Sequence, residues 1–337
     1  MKTMKRTAFL SFLFLAVVLT VSQAEATNVS GSISSSTTWT LAGSPYILTG
    51  DITINAGVTL TIEPGAVVRL GDNMSLWVNG TLNAVGTSSS YITFTGTTES
   101  PDWWRVISIQ NAGSATFEWC DIAYGGYYED ANIYKTGTGS FSLKNSTIRR
   151  SDGAGLRIGA SASAVTLAGN TFSNNTYGVR IGINASFEDT TSVFSANNVD
   201  VFVDGGTIDQ NVLWRLDPSY SLYISGDIAV NGALTIAPGT VIKPGDNVAF
   251  WVNGTLTAVG TSGAPIYFTD WRDDTVGGDA NHDGTASAAA ADWWRVLFIQ
   301  GQGSATLAWC TLRYAGYYEN ACLYKTGSGD LEMTSCT

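Results

Sequence analysis

Leu143-Lys144-Asn145-Ser146-Thr147-Ile148, answered by Leu167-Ala168-Gly169-Asn170-Thr171-Phe172, decides how this chain folds. Phe117-Glu118-Trp119-Cys120-Asp121-Ile122 fits the same frame one step earlier. Cutting the chain at Ala115–Gly139, Ser140–Ser163, Ala164–Ala185 and Ser186–Gly206 gives segments of 25, 24, 22 and 21 residues that superimpose. Later in these segments come Gly155-Leu156-Arg157-Ile158, Gly178-Val179-Arg180-Ile181 and Asp200-Val201-Phe202-Val203. Apolar side chains alternate within each short run, and Gly, Asn or Asp stand at the breaks, which is the chemistry of strands and turns. A period just above twenty, made of such pieces, belongs to a solenoid in which each turn of the coil is one rung. Equivalent strands then stack about 4.8 Å apart, and a rung depends on its neighbours for stability. The rival fold, a β-sandwich, does not repeat its side chains in register over four consecutive segments.

A longer duplication encloses this rhythm. Leu60-Thr61-Ile62-Glu63-Pro64-Gly65 returns as Leu234-Thr235-Ile236-Ala237-Pro238-Gly239, and Leu76-Trp77-Val78-Asn79-Gly80-Thr81-Leu82 as Phe250-Trp251-Val252-Asn253-Gly254-Thr255-Leu256. Asp102-Trp103-Trp104-Arg105-Val106 returns as Asp292-Trp293-Trp294-Arg295-Val296. The expected organisation is an all-β, right-handed parallel β-helix of two tandem units, residues 27–206 and 207–337, with a loop inserted in the second at 270–291. The run Asp330 to Thr337 matches Ser140 to Thr147, so the second unit reads as incomplete.

Residues 1–26 read as a secretory signal peptide. Lys2, Lys5 and Arg6 precede an apolar run from Ala8 to Val21, and small residues follow at Ser22, Ala24 and Ala26. No other segment approaches the ~20 apolar residues of a membrane span. Secretion or cell-surface display is therefore expected. Removing the leader after Ala24 takes the formal charge from −11 to about −14. An acidic surface argues against nucleic acid and anionic lipid, both of which demand basic patches.

The run from Val58 to Leu70, with Leu76–Thr87, Tyr91–Gly96 and Asp102–Val106, resembles the right-handed parallel β-helix repeat of secreted and surface proteins of bacteria, pectin-lyase-like in fold. The resemblance covers nearly all of the mature chain. It implies a surface or matrix component, on a coil that also carries lyases, hydrolases and adhesins.

The cysteines Cys120, Cys310, Cys322 and Cys336 fit the rungs as small inward residues. Cys120 aligns with Ser146 and Asn170, and Cys322 with Leu156 and Val179. Cys310 and Cys336 fall one turn apart, close enough for a disulfide.

Thr95 reaches Asp102 in 7 steps, whereas Thr269 needs 23 to reach Asp292. The extra residues contain Asp279-Ala280-Asn281-His282-Asp283-Gly284, the front half of a calcium loop, similar to those of dockerin-type and thrombospondin-type repeats. Ala290 stands where a bidentate Glu would close an EF-hand, and Asp292, Asp273 or Asp274 could supply the missing carboxylate. Asp279, Asn281, Asp283 and Asp292 are the candidate ligands for a structural, low-affinity Ca2+. The same stretch also reads as a solvated acidic loop, with His282 an exposed spacer.

Two functional classes remain open. An enzyme on this coil, a polysaccharide lyase or glycoside hydrolase, has only Arg157 and Arg180 as candidate catalytic residues; both face outward, one above the other, near Asp152, Glu188 and Asp189. A non-catalytic scaffold binding a polysaccharide or surface glycan would use aromatics. Trp103, Trp104, Tyr127 and Tyr128 recur as Trp293, Trp294, Tyr317 and Tyr318. Consecutive strand residues face opposite sides, so one tryptophan of each pair points outward. The alternative duty for these rings is to brace loops that leave the coil.

Overall fold

The computed structural model describes residues 25–160 and 165–337, so the signal peptide expected at residues 1–26 lies almost wholly outside the described residues. The chain is an all-β parallel solenoid of about 12 turns. The strands are three to nine residues long, and the one helical element among the described residues is a 3-10 turn at Leu41–Gly43. No helix among them is long and apolar enough to cross a membrane.

Three columns of stacked strands form the first half. Column A runs from the first part of Tyr46–Ile54 through Val67–Leu70, Ile92–Gly96, Cys120–Ala123, Thr147–Arg149 and Thr171–Ser173 to Val193–Ser195. Column B starts at the end of Tyr46–Ile54 and continues through Ser75–Val78, Val106–Ile109, Ala131–Lys135, Ala154–Ile158 and Tyr177–Ile181 to Val199–Val203. Column C climbs from Thr37–Trp39 through Thr59–Ile62, Thr81–Val85, Ser114–Glu118 and Phe141–Lys144 to Val165–Ala168. Every ladder between these strands is parallel, which rules out the sandwich.

Alternation decides which side chains fill the bore. In Thr59–Ile62, Leu60 and Ile62 are buried while the threonines are half-exposed. Phe117, Leu143 and Leu167 stand in one register, as the rung alignment requires. The turns carry a second, polar column. Cys120 N donates to Ser146 Oγ at 3.0 Å, Ser146 N to Asn170 Oδ1 at 3.2 Å, and Asn170 N to Ser192 Oγ at 3.1 Å. A parallel series joins Ser151, Asn175 and Asn197. Each such contact satisfies a buried amide at a bend where the strand ladder lapses.

The thiols are free. Cys310 and Cys336 are close enough to interact, and burial first, then Cys336, pushes the Cys310 thiol up to about 12. One alignment and one burial expectation for the cysteines need correction. Leu323, not Cys322, occupies the strand register, paired with Leu297. Cys322 and Cys336 are half-buried against the core rather than enclosed by it.

Candidate functional site

The surface chemistry concentrates where the chain passes from column A into column B. Three successive turns build this corner: Asp72–Asn73, Asp102–Trp103 and Gly126–Glu129. Asn73 and Asp102 take left-handed backbone angles, with φ of 56° and 58°. Their counterparts Asn247 and Asp292 do the same, at 58° and 67°. Asn73 N donates to Trp103 O at 2.9 Å, and Asn247 N to Trp293 O at 2.9 Å, so each turn hangs from the next.

The four tryptophans stand in turns just before Val106–Ile109 and Val296–Ile299, and they differ in burial. Trp104 and Trp294 are fully buried. Their indole N–H groups donate to Ala123 O at 2.9 Å and Arg313 O at 2.8 Å. They are bracing residues with no ring surface for a sugar, so the expectation that they contact glycan is corrected here. Trp103 is half-buried and donates to Thr97 Oγ1 at 2.8 Å. Trp293 is 37% exposed, with the Arg272 guanidinium 3.9 Å over its ring.

The tyrosine pairs are the open part. Tyr127 and Tyr128 meet edge to face at 4.4 Å, and Tyr317 and Tyr318 at 4.5 Å. Tyr128 and Tyr318 are each 70% exposed and have φ of 71° and 77°. A bulky residue in the left-handed region carries a backbone cost of about 1–3 kcal/mol, and it is met at both copies. A cation beneath fixes each pair. Arg105 makes two 2.6 Å hydrogen bonds to Glu129 and lies between Trp77 at 5.3 Å and Tyr128 at 5.5 Å. Arg295 repeats this with Glu319, Trp251 and Tyr318. Sequence reasoning missed these sandwiches. The signal was the 24-residue spacing from Arg105 to Glu129, which is one rung.

In the second copy these residues enclose a cleft of about 350 Å³ lined by Asp246, Asn247, Ala291, Asp292, Trp293 and Tyr317. The first copy has Asp72, Asn73, Pro101, Asp102, Trp103 and Tyr127 at the matching positions of its sequence. A hydrogen bond with Tyr128 pushes the Tyr127 phenol up, and the charges of Asp72 and Asp102 act in the same direction. Burial pushes the Asp102 carboxyl up to about 6, with the charge of Asp152, a hydrogen bond to it and the charge of Asp130 adding to the shift.

The inserted loop brings together Asp274, Asp279 and Asp283, whose oxygens lie within 4.8 Å of one another. Asp279 accepts from the amides of Asp283 at 3.3 Å and Gly284 at 2.9 Å. Asp283 accepts from Asn281 Nδ2 at 2.9 Å. Asn281 Oδ1 and Asp274 Oδ1 are buried without a hydrogen-bond partner. Burial pushes Asp274 up, and the charges of Asp279 and Asp283 push it further. Asp292 belongs to the aromatic cleft rather than to this cluster. Asp273 is taken up by Arg313 and Thr269. His282 is exposed.

Arg157 and Arg180 do stack in register. Their partners differ from those expected. Arg180 pairs with Asp204 at 3.0 Å, while Arg157 donates to Glu129 O at 3.3 Å and lies 4.7 Å over Tyr134.

Comparison with known proteins adds little beyond the coil. Over 49 residues the chain is 45% identical to Protein bark beetle of Drosophila melanogaster, a stretch that is 14% of this chain and 2% of that protein. The chain thus spans a small fraction of that relative's length. No protein-family profile matches the chain, and no solved structure matches it. Fold and corner together define a β-helical scaffold with repeated aromatic corners, one of which forms a cleft.

Proposed function

We propose that this chain is an exported, non-catalytic scaffold of the bacterial surface or matrix, a right-handed pectin-lyase-like coil of two units whose corner clefts bind polysaccharide. The observation that carries the reading is the repeated tyrosine pair. It is exposed, held on a costly backbone, and set beside a tryptophan and carboxylates at both copies. Flat rings suit the C–H faces of sugars, and flanking carboxylates and amides suit their hydroxyls. Right-handed winding agrees with the handedness of parallel crossovers. No observation at Arg157 or Arg180 favours the lyase or hydrolase alternative. On a glycan array the wild type should bind, and Tyr127→Ala combined with Tyr317→Ala should weaken binding at least tenfold, ~1.4 kcal/mol. Unchanged binding by the double variant would remove the clefts from the account.

In the same reading the inserted loop holds a structural Ca2+ through Asp274, Asp279 and Asp283, with Asn281 Oδ1 as a neutral ligand. Its affinity falls in the ~10⁻⁴–10⁻³ M class of extracellular modules. Calorimetry with millimolar calcium should show heat that Asp279→Asn abolishes; a flat titration of the wild type ends the metal assignment.

A further inference from the structure

The two clefts are copies in sequence, but the strand pairings set them on opposite edges of one sheet. In the first copy the cleft turns lead into column B: Asp72–Asn73 precedes Ser75–Val78, Asp102–Trp103 precedes Val106–Ile109, and Tyr127 precedes Ala131–Lys135. In the second copy the counterparts have changed column. Val241–Pro244 matches Val67–Leu70 of column A in sequence, yet it pairs with Leu222–Ile224, which pairs with Val199–Val203 of column B. Ile266–Phe268 and then Cys310–Leu312 continue that same column. The turns carrying Asp246–Asn247, Asp292–Trp293 and Tyr317 therefore leave column B and enter a new column. That column starts at Gly206–Ile208 and runs through Ile228–Val230, Ala249–Val252 and Val296–Ile299 to Leu323–Lys325. Column A meanwhile stops at Val193–Ser195, where Phe194 N donates to the Tyr220 hydroxyl at 3.2 Å and the two rings meet at 4.9 Å.

The first corner, where the matching cleft would open, thus lies at the amino-terminal ends of the column B strands, and the second cleft opens at their carboxyl-terminal ends. From Val106–Ile109 to Ile266–Phe268 the column makes seven steps. At about 4.8 Å each, that separates the clefts by about 34 Å along the axis, besides the width of the sheet. A stiff chain lying along one edge of the coil meets one cleft and passes behind the other.

We infer that the protein is a two-sided cross-linker, each cleft holding a different chain of a neutral polysaccharide. Neutral polymers fit because Asp246 and Asp292 line the second cleft, Asp72 and Asp102 stand at the matching positions of the first corner, and the chain carries a formal charge of −11, which repels uronates and sulfates. The inference rests on the glycan reading above and adds valency, sidedness and charge class to it.

The test uses a neutral β-glucan both as a short oligosaccharide and as a long polymer. The wild type should take up two oligosaccharides and raise light scattering of the polymer at least tenfold at equimolar clefts and chains. Tyr127→Ala and Tyr317→Ala remove side chains that are each 40% exposed, so both variants should fold. Each should take up one oligosaccharide, still bind the polymer and leave scattering at baseline. Two equivalents bound without a rise in scattering, or a network that persists in the single variants, overturns the cross-linker and leaves the glycan reading standing. No uptake of any oligosaccharide by the wild type overturns both.

Discussion

Two corners that share one sequence ancestry carry different loads. After Ile92–Gly96 the chain turns back to the coil in a few residues, and Arg69, one rung below, stays half-exposed. After Ile266–Phe268 the same turn swells to the loop 270–291, and Lys243, which stands in the place of Arg69, is completely buried. Its Nζ donates to Gly278 O at 2.6 Å. The loop lies close enough that a Cβ on Gly277 would meet Val241 at 2.8 Å, and Gly277 has φ of 64°, so only glycine fits. An outward strand position has become interior because of what was laid over it. Strand alternation fixes direction; burial depends on the next layer.

The largest test of this difference replaces 270–291 by the short turn of the first copy. Arg313 would lose Asp273, and Val241 would lose its cover. A drop of about 2–4 kcal/mol in unfolding free energy is expected, together with loss of any calcium response. An unchanged denaturation midpoint would mean that the loop braces nothing.

The pH dependence sharpens the comparison. Burial pushes Lys243 down to about 8 from 10.5, and Lys135 likewise to about 8. Between these limits the unfolded chain binds more protons than the folded one, so stability rises as pH climbs from about 8 towards 10.5. The short-turn variant should keep the part due to Lys135 and lose the part due to Lys243. Equal slopes in both proteins would contradict the burial of Lys243 by the loop.

The smallest effect lies in the first corner. Asp102 has a buried Oδ1 without a hydrogen-bond partner and a carboxyl raised to about 6. Its folded value exceeds the unfolded 3.8, so its charged form costs stability that is recovered as pH falls from about 6 to 3.8. Asp102→Asn, which tolerates the left-handed backbone, should raise stability at pH 7, by less than the full shift because solvent screens the partly exposed carboxylate, and by almost nothing at pH 4. A loss at pH 7 would show that the carboxylate is needed where it stands.

The coil itself was legible, because inward residues repeat in register and Leu143, Leu167 and Phe117 align by eye. Trp104 and Trp294 lie inside and Trp293 is partly exposed, whereas Trp103 is half-buried against the core, because these residues stand in turns where strand alternation does not apply. The change of column was not legible. Unit matching aligns Val241 with Val67, and only the hydrogen-bond ladder reveals that Val241–Pro244 follows column B. The sandwiches of Arg105 and Arg295 were hidden for a related reason: their partners sit one rung away, where local spacing gives no sign. Asp274 was one of several carboxylates within reach of the calcium motif, and the choice among them depends on how the loop closes.

The change of column is the claim on which the two-sided account stands, and cysteine pairing tests it directly. Phe202 and Tyr223 face each other across column B, ring centroids 5.7 Å apart. On mild oxidation the Phe202→Cys, Tyr223→Cys protein should form that disulfide in high yield by peptide mapping, while Ser195→Cys, Tyr223→Cys should not. Efficient linkage of 195 to 223, with none between 202 and 223, would mean that column A runs on into the second half and that both clefts share one edge.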